Sequence, residues 1–346
     1  MTEHHKSNIY FQRCGNNLNA NIISLRKLLD QLEPKFTSSD KVGIKIHWGE
    51  RDNISFLPAD YTAEIVNWVK SMGAKPFVFD TTVLYSGGRR DAESALKTAR
   101  EHGFTPQKLG CPVVIGDGSD GTDVIDIPSG YKHFPSVQVT SLIESTDAFV
   151  IFSHFKGHLL AGFGGAIKNI SMGFASRAQK QRMHADVQPQ LNTDKCTRCG
   201  KCAEICPQNA IEFHQYMYPN FELDKCIGCA QCIGICPQVA IKVQWNVDKT
   251  TFQERLVETA AAVWNIIHDR TLLITAAINI TKECDCMSGE NPRVYQDVGF
   301  WGGYNPVILD RATIDKVGEQ AIEKAHSNLP WRKQFTFATQ IGFVKQ

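Results

Sequence analysis

The sequence predicts an α/β fold: an open, mostly parallel sheet with a smaller α+β unit inserted into it. Three observations point there. Short β-rich runs alternate with amphipathic helical stretches before residue 190, as crossover units require, and a helix, strand and helix follow residue 244. Eight of the twelve cysteines fall between residues 196 and 236, in two copies of one pattern. At 346 residues the chain is too long for that pattern alone, so the cysteine unit sits within a larger body. The expected division is residues 1–189 and 244–346 for the two parts of the α/β domain, with 190–243 inserted between them.

Residues 8–12, 42–46, 76–79, 113–115 and 148–152 read as strands. Between the first two, residues 21–32 place Ile23, Leu25, Leu28 and Leu29 at helical spacing, and residues 59–72 do the same with Ile65, Trp68, Val69 and Met72. Gly73 suits the C-cap of that second helix. Residues 111–139 read as a β-rich excursion, with turns at Asp117-Gly118 and Asp120-Gly121. After the cysteine unit, residues 252–267 read as a helix and 272–280 as a buried strand. Asn305-Pro306 then opens a last helix, with Asn as N-cap and Pro at the first helical position.

The two cysteine runs are Cys196-x-x-Cys199-x-x-Cys202-x-x-x-Cys206-Pro207 and Cys226-x-x-Cys229-x-x-Cys232-x-x-x-Cys236-Pro237. In this spacing three thiolates of one run surround a 4Fe-4S cluster, and the fourth, before the proline, reaches the cluster of the other run. Cys196, Cys199, Cys202 and Cys236 are therefore assigned to one cluster, and Cys226, Cys229, Cys232 and Cys206 to its neighbour. The duplication extends to Asp194-Lys195 with Asp224-Lys225 and to Ala210-Ile211 with Ala240-Ile241, which makes a ferredoxin-like double-cluster unit. Glu212-Phe213 and Phe221-Glu222-Leu223 read as its short strands. A pair of zinc sites is the competing assignment, but zinc ribbons do not need four cysteines per run, a closing proline and duplication together.

Ligands of open α/β sheets collect beyond the carboxyl ends of the strands. His47, Asp80-Thr81-Thr82, His154-x-Lys156-x-His158 and Cys284-x-Cys286 all follow predicted strands. The histidines could face a metal or an anion, or merely hydrogen-bond the backbone at a strand end. Gly162-Phe163-Gly164-Gly165-Ala166-Ile167-Lys168-Asn169 is a glycine-rich turn leading into a helical pattern. Gly162, Gly164, Gly165, Lys168 and Asn169 are candidates for an anion cradle, the alternative being a turn that needs positive φ. Cys284 and Cys286 read as a metal site, a redox pair or packed thiols. Cys14 and Cys111 read as buried apolar residues. Arg177, Lys180, Arg182 and His184 read first as a solvated basic helix face, the alternatives being a dock for an acidic redox partner or a hold on a substrate anion.

Lys plus Arg number 37 against 36 Asp plus Glu, so no global field favours nucleic acid. No apolar run is long enough for a membrane span and the N-terminal residues carry no leader pattern, from which a cytoplasmic location is expected. Partly exposed low-potential clusters further suggest anaerobic surroundings.

Several segments together resemble the iron-sulfur centre proteins built on the domain of unknown function DUF362. They are Gly43-Ile44-Lys45-Ile46-His47-Trp48-Gly49-Glu50, Ser153-His154-Phe155-Lys156-Gly157-His158, the glycine-rich turn with Met172-Gly173, Met183-His184-Ala185-Asp186, and Cys284-Asp285-Cys286. The resemblance implies an anaerobic redox protein. It departs at Asn305, where related sequences usually carry Asp, so chemistry needing a carboxylate there is in doubt. The expected function is an iron-sulfur oxidoreductase passing single electrons to a bound substrate, with a low-potential redox protein as partner and a small anion as substrate. His47, His154, His158, Cys284 and Cys286 would bind a metal or donate protons, and Lys156 would stabilise charge developing on the substrate. A flavin or an additional metal ion is left open as a further cofactor. A plain electron carrier without its own catalysis is the alternative.

Overall fold

The computed structural model describes residues 9–343. Strands β1 (Tyr10–Arg13), β2 (Lys41–Lys45), β3 (Lys75–Asp80) and β4 (Val113–Ile115) enter the main sheet first. A hairpin of β5 (Val124–Pro128) and β6 (Ser136–Thr140) stands outside it. The chain returns to the sheet with β7 (Ala148–His154), and β8 (Lys156–His158) pairs with β9 (Gly162–Gly164) just beyond. β10 (Ile211–Glu212) and β11 (Asn220–Phe221) lie in the cysteine segment, and β12 (Thr271–Ala277) and β13 (Gly299–Gly303) complete the sheet.

The seven strands lie in the order β1-β13-β12-β7-β2-β3-β4. β12, β7, β2, β3 and β4 run parallel, while β13 opposes both of its neighbours. The mostly parallel sheet is thus as expected. From β2 the chain builds outward to β3 and β4, then crosses to β7 and β12 on the other side. This reversal leaves a crevice at the carboxyl ends of β2 and β7, where the first helices of the two halves diverge.

Alternating side chains feed two cores, because a parallel sheet is covered on both faces. Phe149 and Ile151 of β7 pack with the helices Ala166–Phe174 and Lys249–Ile267. Ala148, Val150 and Phe152 pack on the other face with Leu18–Leu29 and Ala59–Ser71. Cys14 and Cys111 join this second core, and burial pushes the Cys111 thiol up to about 11.

Several expectations need adjustment. Asn8 lies outside the described residues. The first helix starts earlier, at Leu18, because the Asn17 side chain accepts the Ala20 amide at 2.9 Å. Ile23 and Met72 are exposed rather than core-facing, at 57% and 41%. Leu25, Leu28 and Leu29 already fill the buried stripe of the first helix. Gly73 adopts φ +81 just past the second helix, as a C-terminal glycine should. β12 stops at Ala277 because the chain turns at Asn279 (φ +49), whose amide donates to Asp297 at 2.7 Å. β13 was not anticipated, since Gly-Phe-Trp-Gly-Gly shows no alternation. The basic stretch is no solvated face: in the helix Arg177–His184, Arg177 and Lys180 are buried.

The cysteine segment closes on itself through a bridge between Leu191 and Ile241 and has a small core of Ile211, Ile233, Ala240 and Ile241. Its two halves share one backbone path. Arg198 and Gly228, Gly200 and Ala230, and Asn209 and Val239 occupy equivalent positions and all have positive φ, from 48 to 77°. Alanine and valine disfavour that region, so local preference does not account for the path.

Candidate functional site

The site is built outward from the ends of the central strands. Lys45 closes β2 and is only 1% exposed. Its ammonium meets Asp80 of β3 at 2.8 Å, the Ile46 carbonyl at 2.8 Å and Asn169 at 3.0 Å. The other Asp80 oxygen receives Arg89 at 3.1 Å, and Arg89 also reaches Glu50 at 3.4 Å. Gly173 makes room for this network, because a Cβ there would come within 2.4 Å of Lys45 Cε. Burial draws the Lys45 ammonium below its ordinary pKa, against the pull of Asp80.

A second network hangs on Asp285, which is wholly buried. It accepts from His154 Nδ1 at 2.9 Å and from the Lys156 ammonium. His154 Nε2 faces the Ile278 carbonyl at 2.8 Å, so both ring nitrogens are engaged inside the protein. Burial alone would raise the Asp285 carboxyl, but His154 and Lys156 more than offset it and hold it well below the usual carboxylate range. Lys156 therefore already has a partner, and His154 has no nitrogen left for a metal. Both fasten the Cys284–Cys286 loop through Asp285.

That loop presents two thiols to the cavity. Cys284 is buried and Cys286 half-buried. The Met287 amide donates to the Cys284 carbonyl at 2.9 Å, closing a tight turn, and the Cys286 amide points at Cys284 Sγ at 3.4 Å. Lys168 Nζ stands 3.7 Å from the same sulfur. A hydrogen bond from the Cys286 thiol, helped by Lys168 and Lys156 against burial, holds Cys284 well below the ordinary thiol range. Cys286 moves the opposite way, since it supplies the proton of that bond.

His47 and His158 complete the polar wall. The Nδ1 of His47 accepts the Gly49 amide at 3.1 Å, and that of His158 accepts the Leu160 and Ala161 amides at 3.2 and 3.0 Å. Burial, with neighbouring cations, keeps both rings neutral. Each proton must then sit on Nε2, so both rings are donors. The expected residues His47, His154, Lys156, His158, Lys168, Cys284 and Cys286 all border one cavity of about 470 Å³. Val83, Leu84, Leu159, Met172 and Phe252 supply apolar lining to the same cavity.

The glycine-rich turn behaves differently from the expected cradle. The amides of Ala166 and Ile167 donate to Asp310 at 2.7 and 2.9 Å, so a side chain of this protein already occupies the helix N-terminus. Gly165 permits that approach, since a Cβ would fall 2.4 Å from Asp310 Oδ1. Gly162 has φ +82, is pressed against Trp331 and does not border the cavity. Asn169 spends its amide on the Phe152 carbonyl at 3.0 Å and on Ser153 at 3.1 Å. Gly164, Gly165, Lys168 and Asn169 border the cavity, and Lys168 is the charged one among them.

Burial pushes the Asp310 carboxyl up to about 7, although the two amides oppose it. The folded state thus favours the protonated acid. Its contribution to stability is complete below about pH 4 and is lost as the pH rises through about 7. Urea melts should show wild type losing stability over this interval relative to Asp310→Asn, by on the order of 3–4 kcal/mol.

Sequence reasoning undervalued Lys180 and His184, and did not single out Lys45, Glu50, Arg89 or Asp285. Lys180 Nζ lies 2.9 Å from Thr81 Oγ1 and 2.5 Å from the Thr82 carbonyl. Burial draws it down to about 8, and His184 to about 3. Among the described residues no carboxylate forms an ion pair with Lys180 or Lys168. The available signal for Asp285 was its place between two cysteines.

Two smaller cavities collect the eight cysteines of the two runs. One is bordered by Cys196, Cys199, Cys202 and Cys236, the other by Cys206, Cys226, Cys229 and Cys232. The Ala210 amide donates to Cys206 Sγ and the Ala240 amide to Cys236 Sγ, both at 3.2 Å. Among the described residues only His158, Cys284 and Cys286 bring three ligand atoms within 4.8 Å of one another. The four-cysteine cavities are therefore wider than a single tetrahedral zinc ion would make them, for which sulfurs stand roughly 3.8 Å apart.

The sequence pattern of the domain of unknown function DUF362 matches residues 42–315. The chain belongs to this family. The DUF362 match runs from β2 to the helix Pro306–Val317 and so takes in the strand-end cavity and the whole cysteine segment. No curated protein matches. Similar solved structures include the lactate racemase apoprotein of Thermoanaerobacterium thermosaccharolyticum, with 12% identity over 92% of this chain and a TM-score of 0.40. A structural-genomics protein of Thermotoga maritima matches with 12% identity over 96% of this chain and a TM-score of 0.42. This DUF362 chain covers 56% and 61% of those two chains. Among its described residues no helix is long and apolar enough to cross a membrane.

Proposed function

We propose that this chain is an iron-sulfur oxidoreductase that holds two 4Fe-4S clusters in its cysteine segment and reacts with an anionic substrate in the strand-end cavity. The observation that carries this reading is the position of Leu84. It borders the large cavity and also packs in the same small core as Cys232 and Cys236. Arg90 fastens that shared wall. It donates to the Val83 and Leu84 carbonyls on one side, and to those of Gly234 and Cys236 on the other at 3.1 and 2.9 Å.

The donor set suits the group. Soft thiolates favour zinc or iron-sulfur centres, and the wide separation of the sulfurs favours the larger one. Such clusters supply single electrons at low potential. Lys180 and Lys168 attract an anion. His47 and His158 offer Nε2 protons to its polar end, while Leu159, Met172 and Phe252 exclude water and so strengthen each charge interaction.

Anaerobically purified protein, reduced with dithionite and mixed with a panel of small carboxylates and phosphate esters, tests the reading. At least one compound should restore the visible absorbance of the oxidised clusters, and Lys180→Met should slow that reaction at least tenfold without loss of iron. An intact iron content, with no compound acting or with the variant indistinguishable, would leave a plain electron carrier.

A further inference from the structure

We infer that Cys284 and Cys286 form a reversible dithiol/disulfide couple that exchanges with small disulfides bearing acidic groups. The inference deepens the redox reading above and rests on it for the source of electrons. Four observations carry it. The two sulfurs lie within 4.8 Å of each other, in a turn closed between Cys284 and Met287. The loop is held in place by Asp285, through His154, Lys156 and the Glu50 amide, which donates to the Asp285 carbonyl at 2.8 Å. Lys168 Nζ stands 3.7 Å from the sulfur of Cys284. Both thiols border the cavity, where Lys180, which among the described residues pairs with no carboxylate, suits acidic groups.

A single metal ion is the rival for this place, and the hydrogen bonds disfavour it. His158, the third close ligand, has Nδ1 committed to two backbone amides, so its Nε2 carries a proton and cannot ligate. The Lys168 ammonium also stands where a cation would be repelled. Division of labour between the thiols is what exchange chemistry needs: an ionised sulfur attacks and a protonated neighbour resolves.

The steps balance. The Cys284 thiolate attacks one sulfur of the substrate disulfide, forming a mixed disulfide and expelling the first thiolate. Cys286 then gives up its proton and attacks Cys284 Sγ, which closes the internal disulfide and releases the second half as a thiol. Two electrons and one proton restore the Cys284 thiolate and the Cys286 thiol. One-electron iron-sulfur donors, acting twice, are the reductant class the proposal names.

The test is anaerobic equilibration of the protein in buffers of reduced and oxidised dithiothreitol, followed by acid quench, alkylation and mass analysis of the peptide with both cysteines. The expected result is joint, reversible loss of both alkyl groups in a single two-electron transition. Lys168→Met, checked for folding by circular dichroism, should slow alkylation of Cys284 at neutral pH by at least about tenfold. 5,5′-Dithiobis(2-nitrobenzoate), a dianionic disulfide, should oxidise the pair at least tenfold faster than uncharged 2,2′-dithiodipyridine does, after correction for their intrinsic rates. Independent alkylation of the two cysteines at every potential overturns the inference, as does a stoichiometric metal lost on Cys284→Ala/Cys286→Ala. Either result, with substrate-driven cluster reoxidation intact, leaves the oxidoreductase reading standing. A reversible disulfide in a protein whose clusters no compound reoxidises overturns that reading and leaves the couple.

Discussion

Anaerobically purified Cys236→Ala is expected to lose about four of about eight irons, although the residue belongs to the second run and the missing cluster is held mainly by the first. Crossed ligation makes a sharper claim for pairs. Cys196→Ala/Cys236→Ala should lose no more iron than either single change, because both residues border one cavity. Cys226→Ala/Cys236→Ala should retain almost none, because the two residues border different cavities. Iron and sulfide analysis decides the matter. The opposite ranking of the two pairs would mean that each run holds its own cluster, and stoichiometric zinc in place of iron in the wild-type protein would restore the zinc alternative.

Arg89→Met is expected to have the largest effect on stability. The guanidinium is 2% exposed and meets Asp80 at 3.1 Å, Glu50 at 3.4 Å and the Tyr85 hydroxyl at 3.1 Å. Its removal leaves buried Glu50 without its cation and Asp80 with Lys45 alone, which costs about 3–5 kcal/mol. The loss should be partly recovered in Arg89→Met/Glu50→Gln, where the carboxylate left behind is neutralised. Arg89→Lys should recover little, since an ammonium cannot span both acids. Denaturant melts of wild type, Arg89→Met, Glu50→Gln and Arg89→Met/Glu50→Gln form a cycle. If the double variant is no more stable than Arg89→Met, the arginine matters for packing and not for charge.

Much of the scaffold was legible because its signals are local. Asn305 and Pro306 mark a helix start whatever surrounds them, and the Asn305 side chain does accept the Val307 and Ile308 amides at 3.0 and 3.1 Å. Leu25, Leu28 and Leu29 reveal a buried stripe by their spacing alone. β13 escaped because its three glycines carry no pattern, and one of them is dictated from afar: a Cβ at Gly302 would lie 2.7 Å from Leu32. The basic run from Arg177 to His184 misled for the opposite reason. Its composition is that of a solvated face, and only packing against Thr81, Thr82 and the Gly121 turn reveals that Lys180 and Arg177 lie inside.

The candidate site divides along the same line. Its members could be nominated from sequence because each follows a strand, but their tasks could not. His154 and Lys156 read as reactive groups until Asp285, about 130 positions later, turned out to engage both. The helix N-terminus at Gly165 read as an anion cradle until Asp310 filled it. Sequence by itself determined the α/β class, the caps and the grouping of cysteines into two runs, since these depend on residues only a few bonds apart, where chain geometry leaves few options. Tertiary structure decided which buried charges neutralise one another, and hence which remain for a ligand. Ion pairing depends on distances of a few ångströms between side chains, and here the order of strands in the sheet, with β2 beside β7, sets those distances.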